Sequence, residues 1–393
     1  MDFEVSVIGA GAVGSVLALL LAQQGLKVCL IDRSNPFEIN TVSNLGTRTT
    51  ALNLASVELV KQAGFWESLK KESTPFNRIY VWDSKGSTKL EFLAKDIKIE
   101  HLGYVISNNS IQKEVFKILK NFGNLTFKPN NEINEIKVEE DKVIISNSQG
   151  SKITSQLLIG ADGVNSVTRK FSKIKSRTWK YNQNAFVTSL KSEKHHKNTA
   201  WQIFTPSGTI ALLPFDAKDE ANISLVWSAE RKYSEYLNSL DERAFVSELE
   251  KKTEYILGSF EPRGLISSFP LNQLHTKSYF SERIVLAGDS AHSIHPLAGQ
   301  GLNLGFADAL SLTEKLTSAR RRAEDLGSDL LLSSYEDSRK IPNLTMTVMM
   351  EVLKQGFEQT DPWIKLARNL AFKTTQETNW LKEKFIKEAA GIT

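Results

Sequence analysis

The sequence predicts an α/β fold, a nucleotide-binding unit of parallel strands and helices interrupted by an inserted mixed β-sheet and closed by helices. Three observations predict it. Gly9, Gly11 and Gly14 form Gly-x-Gly-x-x-Gly between a strand-like run and a helix-like run. Two later runs, 157–166 and 283–292, again carry a strand into a turn containing Gly and Asp. Between these distant segments the chain alternates like strands, so the nucleotide-binding unit must be discontinuous.

In chain order, Glu4-Val5-Ser6-Val7-Ile8 reads as a buried strand, and 15–24 as a helix packed on it. The first glycine allows the tight turn, the second lets backbone approach a pyrophosphate, and the third lets helix and strand touch. The helix N-terminus then offers free amides and a partial positive charge to phosphates. A second strand, Lys27-Val28-Cys29-Leu30-Ile31, ends at Asp32, an acid placed to hold ribose hydroxyls. A glycine-rich turn with no ligand is the plain alternative, and the order strand, turn, helix, strand, acid weighs against it. The spacing serves NAD and FAD alike.

The strand in 157–166 runs into Gly160-Ala161-Asp162-Gly163, with Arg169 shortly after. The strand at 283–287 runs into Gly288-Asp289, then His292, His295 and the glycine-rich run 299–305. Both turns fall at carboxyl ends of strands, where nucleotides bind in such sheets. The intervening runs 78–82, 88–93, 185–190, 199–204, 209–215 and 222–228 predict one mixed or antiparallel sheet over the ligand. From Arg339 onward the pattern is helical, with Trp363, Leu366, Leu370 and Phe372 interleaved with Lys365, Arg368 and Lys373. That pattern fits a membrane- or partner-facing surface, and fits better a helix covering its own core.

The chain has 393 residues, 41% hydrophobic and 24% charged, which excludes a disordered chain. A single cysteine, Cys29, excludes a disulfide scaffold and fits a reducing compartment. Lys plus Arg at 49 against Asp plus Glu at 45 gives +4, too weak a bias for a nucleic-acid protein. Residues 5–22 lack charge, and length alone would admit a membrane span. Their glycines and the preceding Asp2 and Glu4 favour strand, turn and helix, hence a soluble or peripheral protein, cytoplasmic or at the inner face of a membrane. Asp289, His292 and His295 could suggest a metal site, but Pro296 breaks any shared helical face and no fourth ligand is apparent. His195 and His196 read as a solvated loop, Cys29 as a small core residue, and Arg320, Arg321 and Arg322 as a helix end at its dipole's negative pole.

Together these motifs resemble the flavin-dependent aromatic hydroxylases of the p-hydroxybenzoate hydroxylase fold. The run 295–308 is similar to the signature of the ubiquinone-biosynthesis hydroxylases among them. Thr47-Arg48-Thr49-Thr50-Ala51-Leu52-Asn53, Trp201-x-x-Phe204-Thr205-Pro206-x-Gly208 and Leu212-Leu213-Pro214 carry the resemblance through the middle of the chain. It implies a Rossmann-like FAD-binding domain over 1–72, 108–175 and 278–338, an inserted mixed β-sheet substrate domain over 73–107 and 176–277, and C-terminal helices over 339–393. It implies that Gly9, Gly11 and Gly14 cradle the FAD pyrophosphate, with Asp32 on the ribose and Arg48 and Gln112 near the pyrophosphate and ribityl chain. Asp162 and Gly163 belong to an Asp-Gly motif linked to FAD and reduced nicotinamide nucleotide. Asp289, after Gly288, would take a ribityl hydroxyl; Gly299, Gln300, Gly301, Leu302 and Asn303 would face the flavin pyrimidine ring, and Pro296 would be a further cofactor-binding residue.

The activity so implied is an FAD-dependent monooxygenase. NADPH, NADH or another reductant reduces the flavin, dioxygen adds to give a flavin hydroperoxide, and its distal oxygen attacks an electron-rich ring. The substrate implied is a polyprenylated phenol, with partners in a ubiquinone-biosynthesis complex and a peripheral membrane association as further expectations. A pocket built from residues such as Phe204, Ile210, Leu212, Phe215 and Trp227 would suit an apolar tail, and no Arg lies between Ala185 and Ser228 to hold a carboxylate. No general base stands out. An FAD-dependent reductase of a lipid and an inactive flavin-bound scaffold are the alternatives; a flavin halogenase is not, since Trp-x-Trp-x-Ile-Pro is absent.

Overall fold

The computed structural model of the chain describes residues 1–35, 48–84, 89–216, 218–294, 299–358, 374–376 and 378–392. The opening unit is β1 (Phe3–Ile8), α1 (Ala12–Gln23) and β2 (Val28–Ile31), with β1 and β2 parallel. Helix α1 starts at Ala12, earlier than periodicity suggests, because the turn is already complete at the extended Gly11 (φ −68°, ψ −177°). Val16, Leu17, Leu19 and Leu21 are all fully buried, since the helix is covered on more than one side and needs no polar face.

Next come β3 (Thr49–Asn53), α2 (Leu54–Gln62), α3 (Trp66–Lys70), β4 (Thr74–Phe76), β5 (Arg78–Asp83), β6 (Lys89–Leu93) and β7 (Gly103–Ser107). Then α4 (Asn108–Leu119), β8 (Leu125–Lys128), β9 (Ile133–Val138), β10 (Val143–Asn147), β11 (Lys152–Gly160) and α5 (Val167–Phe171) return to the first unit. Parallel pairing sets the order β19-β11-β1-β2-β8, where β19 is Ile284–Leu286; β18 (Phe280–Ser281) and the β9–β10 hairpin add antiparallel pairs. Strands buried on both faces read as continuous apolar runs, as in Leu157-Leu158-Ile159 and Val28-Cys29-Leu30-Ile31. Cys29 is one such residue, and burial pushes its thiol up to about 12.

The second sheet contains β12 (Ser176–Ser192), β13 (Thr199–Thr205), β14 (Gly208–Pro214), β15 (Asn222–Glu230), β16 (Phe260–Pro262) and β17 (Ser267–Thr276). Its order is β20-β17-β12-β15-β14-β13-β5-β6, with β20 at His292–Ser293; β13 and β5 are parallel and the other pairs antiparallel, so the sheet is mixed as expected. A third sheet, β3-β7-β4, takes strands from both sides of residue 72. Helices α6 (Arg231–Ser239) and α7 (Glu242–Lys252), unanticipated from the sequence, cover the outer face of the second sheet: Leu237, Phe245 and Leu249 pack with Phe186, Ile210, Leu212 and Trp227. The chain continues through α8 (Gly301–Arg321), α9 (Asp329–Glu358) and α10 (Asn379–Ala390). Among the described residues, no helix is long and apolar enough to cross a membrane. The apolar run at 363–372 read as a C-terminal helix lies outside the described residues.

Candidate active site

A cavity of about 520 Å³ runs between the two large sheets. One end is lined by Gly11, Ala12, Val13, Gly163, Gly301 and Leu302; the other by the inner face of the second sheet. Glycines separate into two kinds here. A Cβ on Gly9 would sit 2.4 Å from the Ala161 carbonyl oxygen, and one on Gly14 would sit 1.9 Å from that of Gly9, so these two allow backbone to pack on backbone. A Cβ on Gly11, Gly163 or Gly301 would meet nothing within 4 Å, yet all three line the cavity. Gly163, at φ +77°, needs glycine for its backbone as well, but Gly11 and Gly301 have neither a packing nor a backbone reason to be bare; they leave room for a ligand to approach backbone. Neither α1 nor α8 has a side-chain cap, so both helix N-termini turn unspent amides toward that ligand.

The expected site residues fall in two layers. Gly11, Arg48, Gly163, Asp289, Gly299, Gly301 and Leu302 line the cavity. Asp32, Gln112, Asp162, Gly288, Gln300 and Asn303 are not among its lining residues. Asp32 accepts from Ala10 N at 2.6 Å and from Ser34 N at 2.9 Å, and Gln112 Nε2 donates to Ala10 O at 2.5 Å, so both hold the glycine turn. Asp162 accepts from Ser166 Oγ at 2.5 Å and Thr168 N at 3.0 Å, pinning its own loop. Asn303 accepts from Ser56 Oγ at 2.8 Å and donates to Ala51 O and Gln300 Oε1, fastening α8 to β3. Pro296 and His295 lie outside the described residues.

Asp289 stands in the cleft with its side chain open to it while protein surrounds it on the other sides. Desolvation pushes its carboxyl above the usual range, against the pull of His292 and Arg48. The turn that carries it is clamped from two sides. Arg169 Nη1 donates to Ser290 O at 2.8 Å. Opposite, fully buried Asp308 of α8 accepts from Gly288 N at 3.0 Å, Arg339 Nε at 2.8 Å and Asn343 Nδ2 at 3.1 Å, and lies 2.5 Å from His292 Nε2. Burial alone would raise the Asp308 carboxyl, but His292 and Arg339 overcome it and hold it at about 2. His292 is thus spoken for by a carboxylate. Sequence reasoning gave Asp308 no role of its own, although it closes the run 295–308; a further signal was a lone acid on the apolar face of a helix.

On the second sheet the expected pocket residues need correction. Ile210, Leu212 and Trp227 point to the outer face, into the core under α6 and α7. Phe204 is stacked on Phe357 of α9 at 3.6 Å, and Phe215 packs beside Ile386 of α10. Their neighbours form the wall instead: Val187, Ala200, Gln202, Ala211, Leu213 and Val226. Ile210, Leu212 and Trp227 are one residue away from Ala211, Leu213 and Val226, and one residue exchanges the two faces of a strand, whereas Phe204 and Phe215 share the parity of Gln202 and Leu213 but pack beyond the cavity. Phe269 and Leu271 of β17 complete the wall, with the Arg48 guanidinium 4.1 Å above the Phe269 ring. Arg48 and Asp289 are the charged residues among the described lining, so the wall itself is neutral. The histidine pair also divides: His195 is exposed, but His196 is 1% exposed and accepts from Asn198 N, contrary to a solvated loop.

Residues 2–347 match the model of a family described as an FAD binding domain. The chain is 31% identical to 3-demethoxyubiquinol 3-hydroxylase of Escherichia coli (strain K12), over 99% of this chain and 98% of that protein. It is 31% identical to ubiquinone hydroxylase UbiL of Rhodospirillum rubrum, over 99% of this chain and 89% of that protein. It is also 31% identical to the mitochondrial ubiquinone biosynthesis monooxygenase COQ6 of Xenopus tropicalis, over 99% and 93%. The fold is similar to that of p-nitrophenol 4-monooxygenase PnpA from Pseudomonas putida DLL-E4, with a TM-score of 0.80 at 17% identity, covering 99% of this chain and 98% of that one.

Proposed function

The chain belongs to the FAD-dependent hydroxylases of ubiquinone biosynthesis, and from that premise we propose that it hydroxylates the aromatic ring of a polyprenylated phenol with dioxygen. The observation that carries the proposal is one continuous cavity, with bare backbone and helix N-termini at one end and a largely apolar, neutral wall at the other. The residues fit FAD. Gly11, Gly163 and Gly301 would admit its pyrophosphate and ring to backbone amides, and Asp289, with Arg48 nearby, would take a ribityl hydroxyl. Asp32, Gln112, Asp162, Gly288, Gln300 and Asn303 would act on it by fixing the loops it touches, and Gly9 and Gly14 by letting strand and helix close. When bound, FAD would pass electrons from a reduced nicotinamide or another donor to dioxygen and deliver one oxygen atom to the ring.

The protein's part is to orient and to exclude water. Val187, Ala211, Leu213 and Val226 give the ring and the first isoprene units a dry wall, where each buried methylene contributes about 0.8 kcal/mol. A dry wall also keeps the oxygenating species from being lost to water. The test is substrate-dependent donor oxidation with phenols bearing zero, one and two isoprene units. The apparent affinity should rise with each unit, with ring-hydroxylated product formed. Equal coupled turnover with p-hydroxybenzoate would return the chain to hydroxylases of small aromatic acids.

A further inference from the structure

We infer that Gln202 orients the aromatic head group, by hydrogen bonding a ring oxygen of a neutral phenol; the inference rests on the substrate class proposed above. Across the inner face, register aligns Gln202 with Ala211, Ala211 with Val226, and Val226 with Val187. All four line the cavity, so one carboxamide stands at the end of a row of small apolar side chains. Nearby hydroxyls are already used: Thr49 Oγ1 lies 2.7 Å from Ser224 Oγ, and Thr50 Oγ1 donates to Asn108 Oδ1 at 2.6 Å. Gln202 makes no side-chain hydrogen bond to any described residue.

An apolar ligand filling the cleft would strip water from that carboxamide, which must then find a partner on the ligand or lose its hydrogen bonds. A carboxamide is both donor and acceptor, so it can serve a phenolic hydroxyl and an adjacent ether oxygen together. It offers no charge to a carboxylate. Arg48, the cation of the described lining, lies over Phe269 and draws on Asp289 at the cofactor end. Gln202 therefore gives the wall a preference for neutral phenols and methoxyphenols.

The FAD-loaded protein is titrated with a prenylated phenol and with the matching prenylbenzene that lacks the ring oxygen, binding being read from the flavin absorbance. The wild type should prefer the phenol by about tenfold, the scale of one hydrogen bond. Gln202→Leu should bind the two ligands about equally, the phenol having weakened and the prenylbenzene not. Gln202→Met, closer in shape, should do the same. A role limited to holding the sheet would weaken both ligands together, and that outcome, or an unchanged preference in both variants, overturns the inference. A wild type that binds neither ligand overturns the substrate class, and the role of Gln202 with it.

Discussion

Gly11 and Gly14 share one motif but do different work, and alanine separates them. Gly11 has ordinary extended backbone and open space where a Cβ would go. Gly11→Ala should leave thermal stability close to wild type while FAD affinity falls about tenfold or more, from loss of close approach to backbone amides. Gly14→Ala forces a carbon to 1.9 Å from the Gly9 carbonyl oxygen and should cost about 1–3 kcal/mol of stability or more, visible in denaturant melts. Similar stability losses in both variants would refute the division. Asp308→Asn leaves Arg339 and His292 without their carboxylate and should cost about 3–5 kcal/mol, with FAD held more weakly because the Gly288 turn loses its anchor. Unaltered stability and FAD affinity would show that the clamp is idle. Both sets of glycines were legible in the sequence because a turn is a local event. The Asp308 clamp was not, since His292 and Arg339 lie 16 and 31 residues from it and only tertiary packing joins them.

At the level of elements, the strands of the second sheet could be read but not their faces. Ile210, Ala211, Leu212 and Leu213 are four apolar residues in succession, and a period of two cannot choose between sides when both are buried. The helices that decide the matter, α6 and α7, cover Ile210 and Leu212 and leave Ala211 and Leu213 to the cavity. Ile210→Ala should therefore cost about 2–5 kcal/mol of stability with substrate affinity unchanged. Ala211→Leu should weaken binding of the prenylated phenol with little loss of stability; the reverse pattern would restore the first assignment of faces. The turn between β12 and β13 carries a second test. Burial, the largest influence on His196, pushes its pKa below the ordinary 6.5. The unfolded chain then takes up a proton below about pH 6.5 that the folded protein resists, so stability falls as pH drops through that range. His196→Asn, which keeps an acceptor for Asn198 N, should flatten that slope in melts recorded from neutral to mildly acid pH. An identical slope would mean that His196 is not its source.

For the whole molecule, discontinuity is the organising fact. The parallel sheet draws β1, β2, β8, β11 and β19 from three separated stretches, and the second sheet fills the intervals, so the cavity forms only when both are complete. That much was foreseen from three turn motifs at strand ends, whereas the wall of the cavity depended on a pairing register that no single segment encodes. On the proposed function, one cleft holds FAD at its glycine end and a prenylated phenol at its apolar wall, so that oxygen passes between them. Mass spectrometry of the product formed by FAD-loaded protein, donor and prenylated phenol under isotopically labelled dioxygen tests it most directly. One labelled oxygen atom on the aromatic ring, in step with donor consumed, is the predicted result; donor consumption yielding only hydrogen peroxide, with the phenol recovered unlabelled, would contradict it.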